Sequence, residues 1–379
     1  MKTRSRRRKR KANVLVLTAF FMVGIFALLA CAVDLGYLQV ARTELQRSAD
    51  AAALAATWEL LDEGALSGNS SPYYLQELAE DKAFEYAALN TVTTQGPALD
   101  YQDILVGYLA NPMDPTSPLV LGSPNPANAV QVLVRKSAGQ NGEVPLFFAR
   151  ALGVGGSTLE ATATAALLND FKGFTLPGSG ENLGMLPIAL DLDTWNGLLA
   201  GVGTDGWTWD AGLEQVTAGS DGILEVNLFP QGTGSPGNRC TVDIGSSNNS
   251  TADIARQITD GINEADLAHH GGELVLDENG ELFLNGDTGI SAGVKDELAS
   301  IKGQPKIIPI FSQVTGPGNN AQYTIVAFAG IRIMEVKLTG SMNSKRVIIQ
   351  PAIIKTLGGI PGSGGQTSQF VYSPVWLVR

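Results

Sequence analysis

Residues 14–33 read VLVLTAFFMVGIFALLACAV, twenty residues with no charge and Thr18 as the sole hydroxyl. A helical run of that length, rising about 1.5 Å per residue, covers the roughly 30 Å hydrocarbon core of a bilayer. Lys2, Arg4, Arg6, Arg7, Arg8, Lys9, Arg10 and Lys11 precede it, and Asp34 ends it. Basic residues clustered beside a span stay on the cytoplasmic side, so everything after Asp34 is expected outside. No second run of comparable length follows, which predicts a single span and a tethered, outward-facing chain.

Charge sharpens this picture. The 379-residue chain has a formal charge of −11, but residues 1–11 hold +8, leaving 18 Lys and Arg against 37 Asp and Glu, or −19, for the rest. An acidic exterior argues against nucleic acid as a partner, because phosphate binding needs clustered Lys and Arg. The basic tail is read as a topology signal and a contact for anionic lipid. Cys31 lies at the membrane edge and Cys240 far along the exterior, so no internal disulfide is expected.

Two rival readings of the first residues exist. A cleaved secretory signal has a shorter apolar core than this one. A lipoprotein signal needs a small residue before an acylated cysteine, and Leu28-Leu29-Ala30-Cys31 fits that pattern. The uncleaved anchor is preferred because the helix is expected to run on: residues 14–63 contain no Pro, and only Gly24 and Gly36 among glycines. Leu38, Ala41, Leu45, Ala49, Ala52 and Ala56 recur at three- and four-residue steps, an apolar stripe. Small residues on such a stripe let backbones approach closely. The expected helix would be about 75 Å long, ended by Gly64 and Ser67-Gly68-Asn69. Such a rod either packs on its own domain or bundles with other subunits, and the stripe is taken as the interaction element, with homo-oligomerisation through it as one outcome.

The segment AVDLGYLQVARTELQRSADAAALAA that follows the span, with its Asp34-Leu35-Gly36-Tyr37 step, resembles the N-terminal region of TadG-like proteins of tight-adherence (Flp) pilus assembly. The likeness continues through VPLFFARALGV and TLEATATAALL and so covers residues 1–169. It implies a bacterial inner-membrane protein with a periplasmic body, whose partners are the membrane and other envelope or pilus-assembly proteins. It brings no catalytic residue and no cofactor. Many TadG-type proteins also carry a von Willebrand A domain with an Asp-x-Ser-x-Ser metal motif. The nearest match here, Asp243-Ile244-Gly245-Ser246-Ser247, has Gly at the first serine position, so that metal site is rejected.

The fold class expected is α+β: a basic tail (1–13), a span (14–33), an exterior helix with a small α/β region (34–169), and a β-rich exterior domain (170–379). Ser71-Pro72 predicts a helix start, with Leu75, Leu78, Ala79, Ala83, Tyr86 and Leu89 on its buried face. Strands are expected at 104–108, 129–136 and 158–168, with a five-proline loop over 111–128 and a short helix between Pro145 and Gly153. Residues 178–184 are a candidate linker. Beyond it, strands are expected at 223–229, 273–276, 281–284, 306–310, 323–339, 347–354 and 370–378, and helices at 251–262, capped by Ser250, and 293–302. Asp277-Glu278-Asn279-Gly280 is expected to close a hairpin.

Motifs that carry chemistry are weak. Gly289-Ile290-Ser291-Ala292-Gly293 satisfies the nucleophile-elbow pattern, but no histidine follows Ser291, and the serine is better read as a helix cap. His269 and His270 are adjacent and cannot both face one metal from a regular element; they are read as surface residues ending a helix before Gly271. The Asp277–Glu281 stretch lacks the spacing of a calcium loop. Gly201-Val202-Gly203-Thr204-Asp205-Gly206 matches a dinucleotide fingerprint but follows a helical segment rather than a strand. Trp195, Trp207 and Trp209 are core anchors or, if exposed, a contact surface for glycan or protein, with Trp207 and Trp209 the candidates. The expectation is a membrane-anchored structural or assembly protein rather than an enzyme. A glycan-binding module and an exported serine hydrolase are the alternatives.

Overall fold

The computed structural model describes residues 10–68, 70–178, 180–229, 241–245, 250–286, 292–317, 321–341, 344–362 and 367–379. Its first element, α1 (Arg10–Glu59), is a 50-residue helix without a break. Along residues 14–33 its apolar side chains are open to the surroundings, Leu15 at 74% and Phe20 at 76%. From Ala41 onward one face turns into protein. The helix is long and apolar enough along its open segment to cross a membrane, and it continues without interruption into the packed part of the chain. It stops at Glu59, four residues short of expectation. A 3-10 turn at Glu63–Leu66 follows, with the Asp62 carboxylate accepting from Gly64 N at 2.8 Å.

The second helix, α2 (Tyr74–Leu89), starts two residues after Pro72, because Ser71 Oγ accepts from Tyr73 N in a turn rather than capping the helix. Ala79, Ala83 and Ala87 are its buried residues, while Tyr86 and Leu89 are exposed, contrary to expectation. The buried face is narrow because alanine packs against alanine across the α1 contact. Ser48 Oγ donates to Ala87 O at 3.2 Å inside it.

The first sheet is antiparallel. β1 (Ile104–Leu109) pairs with β2 (Leu119–Val120), the one short strand in the proline loop, and with β3 (Ala129–Lys136). A minor ladder, β4 (Val144–Pro145) with β5 (Gly156–Ser157), brackets a 3-10 turn at Ala149–Leu152. β6 (Leu159–Ala166) then pairs with β3 from Lys136↔Leu159 to Ala129↔Ala166. α1 lies across this sheet. Their shared core holds Leu45, Ala49, Ala52, Ala53, Val132, Val134, Ala163 and Ala165, and Thr57 Oγ1 reaches Ala165 O at 3.2 Å.

A second core draws on residues 171–371. It begins with β7 (Phe171–Thr175), β8 (Leu190–Asp191) and α3 (Leu192–Leu199), the helix capped by Asp191. β9 (Trp207–Asp210) and β10 (Gln215–Ala218) form a hairpin, and β11 (Val226–Asn227) is all that forms of the strand expected at 223–229. α4 (Thr251–Asp260) carries the expected Ser250 cap, and α5 (Glu264–Ala268) follows it. β12 (Glu273–Val275) and β13 (Leu282–Asn285) flank the turn at Asp277 as expected, yet they do not pair with each other. β12 pairs with β7 (Leu274↔Phe174). α6 (Lys295–Ser300) leads into β14 (Pro305–Thr315) and β15 (Gln322–Lys337), which pair over their length, and β13 joins β15 (Leu284↔Tyr323). The turn diverges because each flank has a longer, more apolar partner elsewhere.

β15 is the spine of a seven-stranded sheet. It also pairs with β16 (Arg346–Pro351), which carries β11 on its far side. β17 (Ile354–Lys355) and β18 (Gly359–Pro361) follow, the latter on β7. After β19 (Ser368–Gln369), the strand expected over 370–378 is instead two short pieces, β20 (Val371–Tyr372) and β21 (Trp376–Leu377), interrupted at Ser373-Pro374. β19 runs parallel to β15, β20 to β17. β21 returns to the first sheet, Trp376↔Ala166, and the Arg379 guanidinium donates to Pro115 O and Ser117 O at 2.7 and 3.0 Å. The fold is α+β with several sheets.

Candidate functional site

The features that set this molecule apart lie along α1, where the anchor meets the body. Asp34, the first charge after the span, is 6% exposed. Its carboxylate accepts three successive backbone N–H groups: Phe147 at 2.8 Å, Phe148 at 3.1 Å and Ala149 at 2.7 Å. These are the free donors at the start of the 3-10 turn, whose own cap position, Phe148, has no side-chain acceptor. Tyr37 meets Phe147 edge-on, ring centroids 5.1 Å apart. In the sequence Asp34 marks the end of the span and opens the Asp34-Leu35-Gly36-Tyr37 step, and neither points to this contact. The signal was present in the chain itself: residues 146–148 are Leu-Phe-Phe, so the turn lacks a Ser, Thr, Asp or Asn to satisfy it locally.

Above the junction the stripe lies elsewhere than in an interface. Ala41, Leu45, Ala49, Ala52 and Ala56 are at 0% exposure, packed on this chain's own β3, β6 and α2, and Leu38 packs against the same core. The expectation that they meet partner helices is corrected accordingly: the close approach that small residues allow is used within the chain.

At its far end α1 is fastened to the second core. Arg332, 3% exposed, donates to both Glu63 carboxylate oxygens at 3.0 and 3.1 Å and, through Nε, to Gly303 O at 2.7 Å. Glu63 also accepts from Ile353 N at 3.1 Å. Trp209 stacks on the guanidinium, 4.8 Å from its ring centroid, and Lys355 sits 3.9 Å over Trp58. Gly303 has φ +82, and a Cβ there would run into the Trp209 ring.

The remaining candidates resolve into structural roles. Trp195 is buried, its indole N–H donating to the Gln369 side chain. Trp207 and Trp209 are half-buried, Trp207 with Lys302 at 5.7 Å, so neither offers an open aromatic platform. The loop 201–206 is pinned by Glu225, which is 1% exposed and accepts from Gly206 N, Trp207 N and Thr204 Oγ1. Burial raises the Glu225 pKa, and those donors only partly oppose it. His269 caps α5 as expected, but His270 is half-buried rather than on the surface, and burial, with His269 beside it, lowers its pKa. Asp277 Oδ1 accepts from Asn279 N and Glu281 N, a turn closed on itself. Ser291, Cys240, Ser246 and Ser247 lie outside the described residues. Among the described residues no group of three or more His, Cys, Asp or Glu is placed to hold a metal.

Residues 12–59 match a family described as Flp pilus-assembly TadE/G-like, and residues 55–165 one described as Tad-like Flp pilus-assembly. The two matches meet on α1 and end at the last residues of β6. The N-terminal region, residues 12–165, is therefore similar to Tad-type pilus-assembly proteins. No curated protein and no solved structure matches it.

Proposed function

We propose that this protein is a single-pass inner-membrane component of a Flp-type pilus-assembly apparatus, with its basic tail in the cytoplasm and its acidic body in the periplasm. It acts by protein–protein contact and not by catalysis. The carrying observation is that α1 runs from an open apolar segment into one packed along a face against the body, with no linker between. A body mounted in that way is presented at a set height and in a set direction above the bilayer. Because the small-residue stripe is used up within the chain, contacts with envelope partners fall to the exposed faces of the two sheets and their loops. The basic cluster at residues 2–11 supports the orientation.

An in-frame deletion tests the reading, with imaging for surface filaments and recovery of partners cross-linked to the full-length protein. Loss of filaments together with pilus-assembly proteins among the partners is the expected result. Filaments of normal number and length in the deletion strain would sink the proposal.

A further inference from the structure

The 3-10 turn held by Asp34 lies beside the span, and what it presents there is unlike the rest of the body. Phe147 is 58% exposed, Phe148 50%, Leu152 87% and Val154 50%. Over residues 144–157 the only charge is Arg150, on an exterior that is otherwise strongly acidic. Between this turn and α1 runs an apolar groove of about 810 Å³. One wall is Leu146, Phe148, Ala149, Ala151 and Leu152; the other is α1 from Val23 to Leu38.

That second wall decides what fills the groove. Residues 23–33 belong to the membrane-spanning segment, so the groove opens at the depth of the outer half of the bilayer. From Asp34 back to Val23 the helix descends on the order of 15 Å at 1.5 Å per residue. Interfacial elements bury their apolar faces roughly 5–10 Å into the headgroup and acyl boundary, so the turn needs to reach only part of that depth. In water, four large apolar side chains within eight residues would be an unsupported patch. In lipid they are solvated, and the Arg150 stem allows its guanidinium to reach phosphate.

We infer that residues 146–154 form a second membrane contact, a foot that inserts beside the span and takes phospholipid acyl chains into the groove between them. The inference rests on the anchoring proposed above. Asp34 fixes the foot to the helix, tying its depth to that of the span.

The test uses the full-length chain with Cys31→Ser and Cys240→Ser, reconstituted in phosphatidylcholine–phosphatidylglycerol vesicles. A single cysteine is introduced at Leu152, or at Asn279 in the distant turn, and labelled with the fluorophore NBD. Far-ultraviolet circular dichroism checks that each variant is folded, and carbonate extraction checks that it is anchored. At Leu152 the emission is expected to shift to the blue, to be quenched by lipids spin-labelled near the headgroup, and to resist aqueous iodide. At Asn279 the pattern is expected to reverse. Iodide quenching at Leu152 equal to that at Asn279, in anchored protein, would overturn the inference and leave the anchor intact. Protection of Leu152 in native membranes but not in pure lipid vesicles would overturn it in favour of a protein helix in the groove. Release of the protein by carbonate would overturn both readings.

Discussion

Asp34, Glu63 and His270 show how much single residues decide here. The three N–H groups on Asp34 have no other acceptor in their turn, so Asp34→Ala should free them. Hydrogen exchange of the amides at 147–149 is expected to rise sharply while β3 and β6 stay protected; unchanged exchange would show that Asp34 is not the fastening. Glu63→Gln leaves Arg332 buried without its counter-charge. Breaking a fully buried pair costs about 3–5 kcal/mol, and the one-third exposure of Glu63 (32%) reduces this to about 2 kcal/mol, readable as a lower urea midpoint. His270 makes a pH prediction. Its folded pKa lies below the ordinary 6.5 because of burial, so below pH 6.5 the unfolded chain binds more protons. The stability it contributes is intact above 6.5 and declines as the pH falls from there toward the folded value. His270→Gln should flatten that decline in a urea series between about pH 7 and pH 5; an identical slope in the variant would remove His270 as its cause.

At the scale of elements, α1 was legible as a helix and its stripe as a contact face. What the stripe contacts was not. Alanines at three- and four-residue steps look the same whether the close partner is another subunit or a sheet made of residues 129–166. The choice is made by that non-local sheet. The turn at Asp277 shows the same: its hydrogen bonds are local and legible in the sequence, while the expected hairpin does not form because its flanks pair with β7 and β15. Asp34 and the turn at residues 149–152 stand more than a hundred positions apart, so neither periodicity nor spacing could join them. It follows that Ala49→Glu or Ala52→Glu should unfold the first core rather than detach partners from an intact body. Each inserts a charged side chain at 0% exposure, expected to cost more than about 3 kcal/mol. Val40→Glu, at a 53% exposed position on the same helix, should be tolerated. Limited proteolysis separates the outcomes, and equal resistance of all three variants would contradict the packing described.

At the scale of the whole molecule, the C-terminus matters more than its short strands suggest. β21 covers the outer edge of β6, and Arg379 reaches back to the proline loop, so residues 376–379 complete the first sheet. Removing residues 375–379 should raise amide exchange at Thr164, whose N–H donates to Arg379 O at 2.6 Å, and leave the seven-stranded sheet unchanged; exchange at Thr164 equal to that of the intact chain would argue against this closure. The unbroken helix has a mechanical meaning as well. With Asp34 clamping one end of the exterior segment and Glu63–Arg332 the other, the chain offers no slack to pay out under load. In the anchoring proposed above, a lateral force on the body becomes a torque on the span, and the bilayer feels a tilting lever rather than a tugged string.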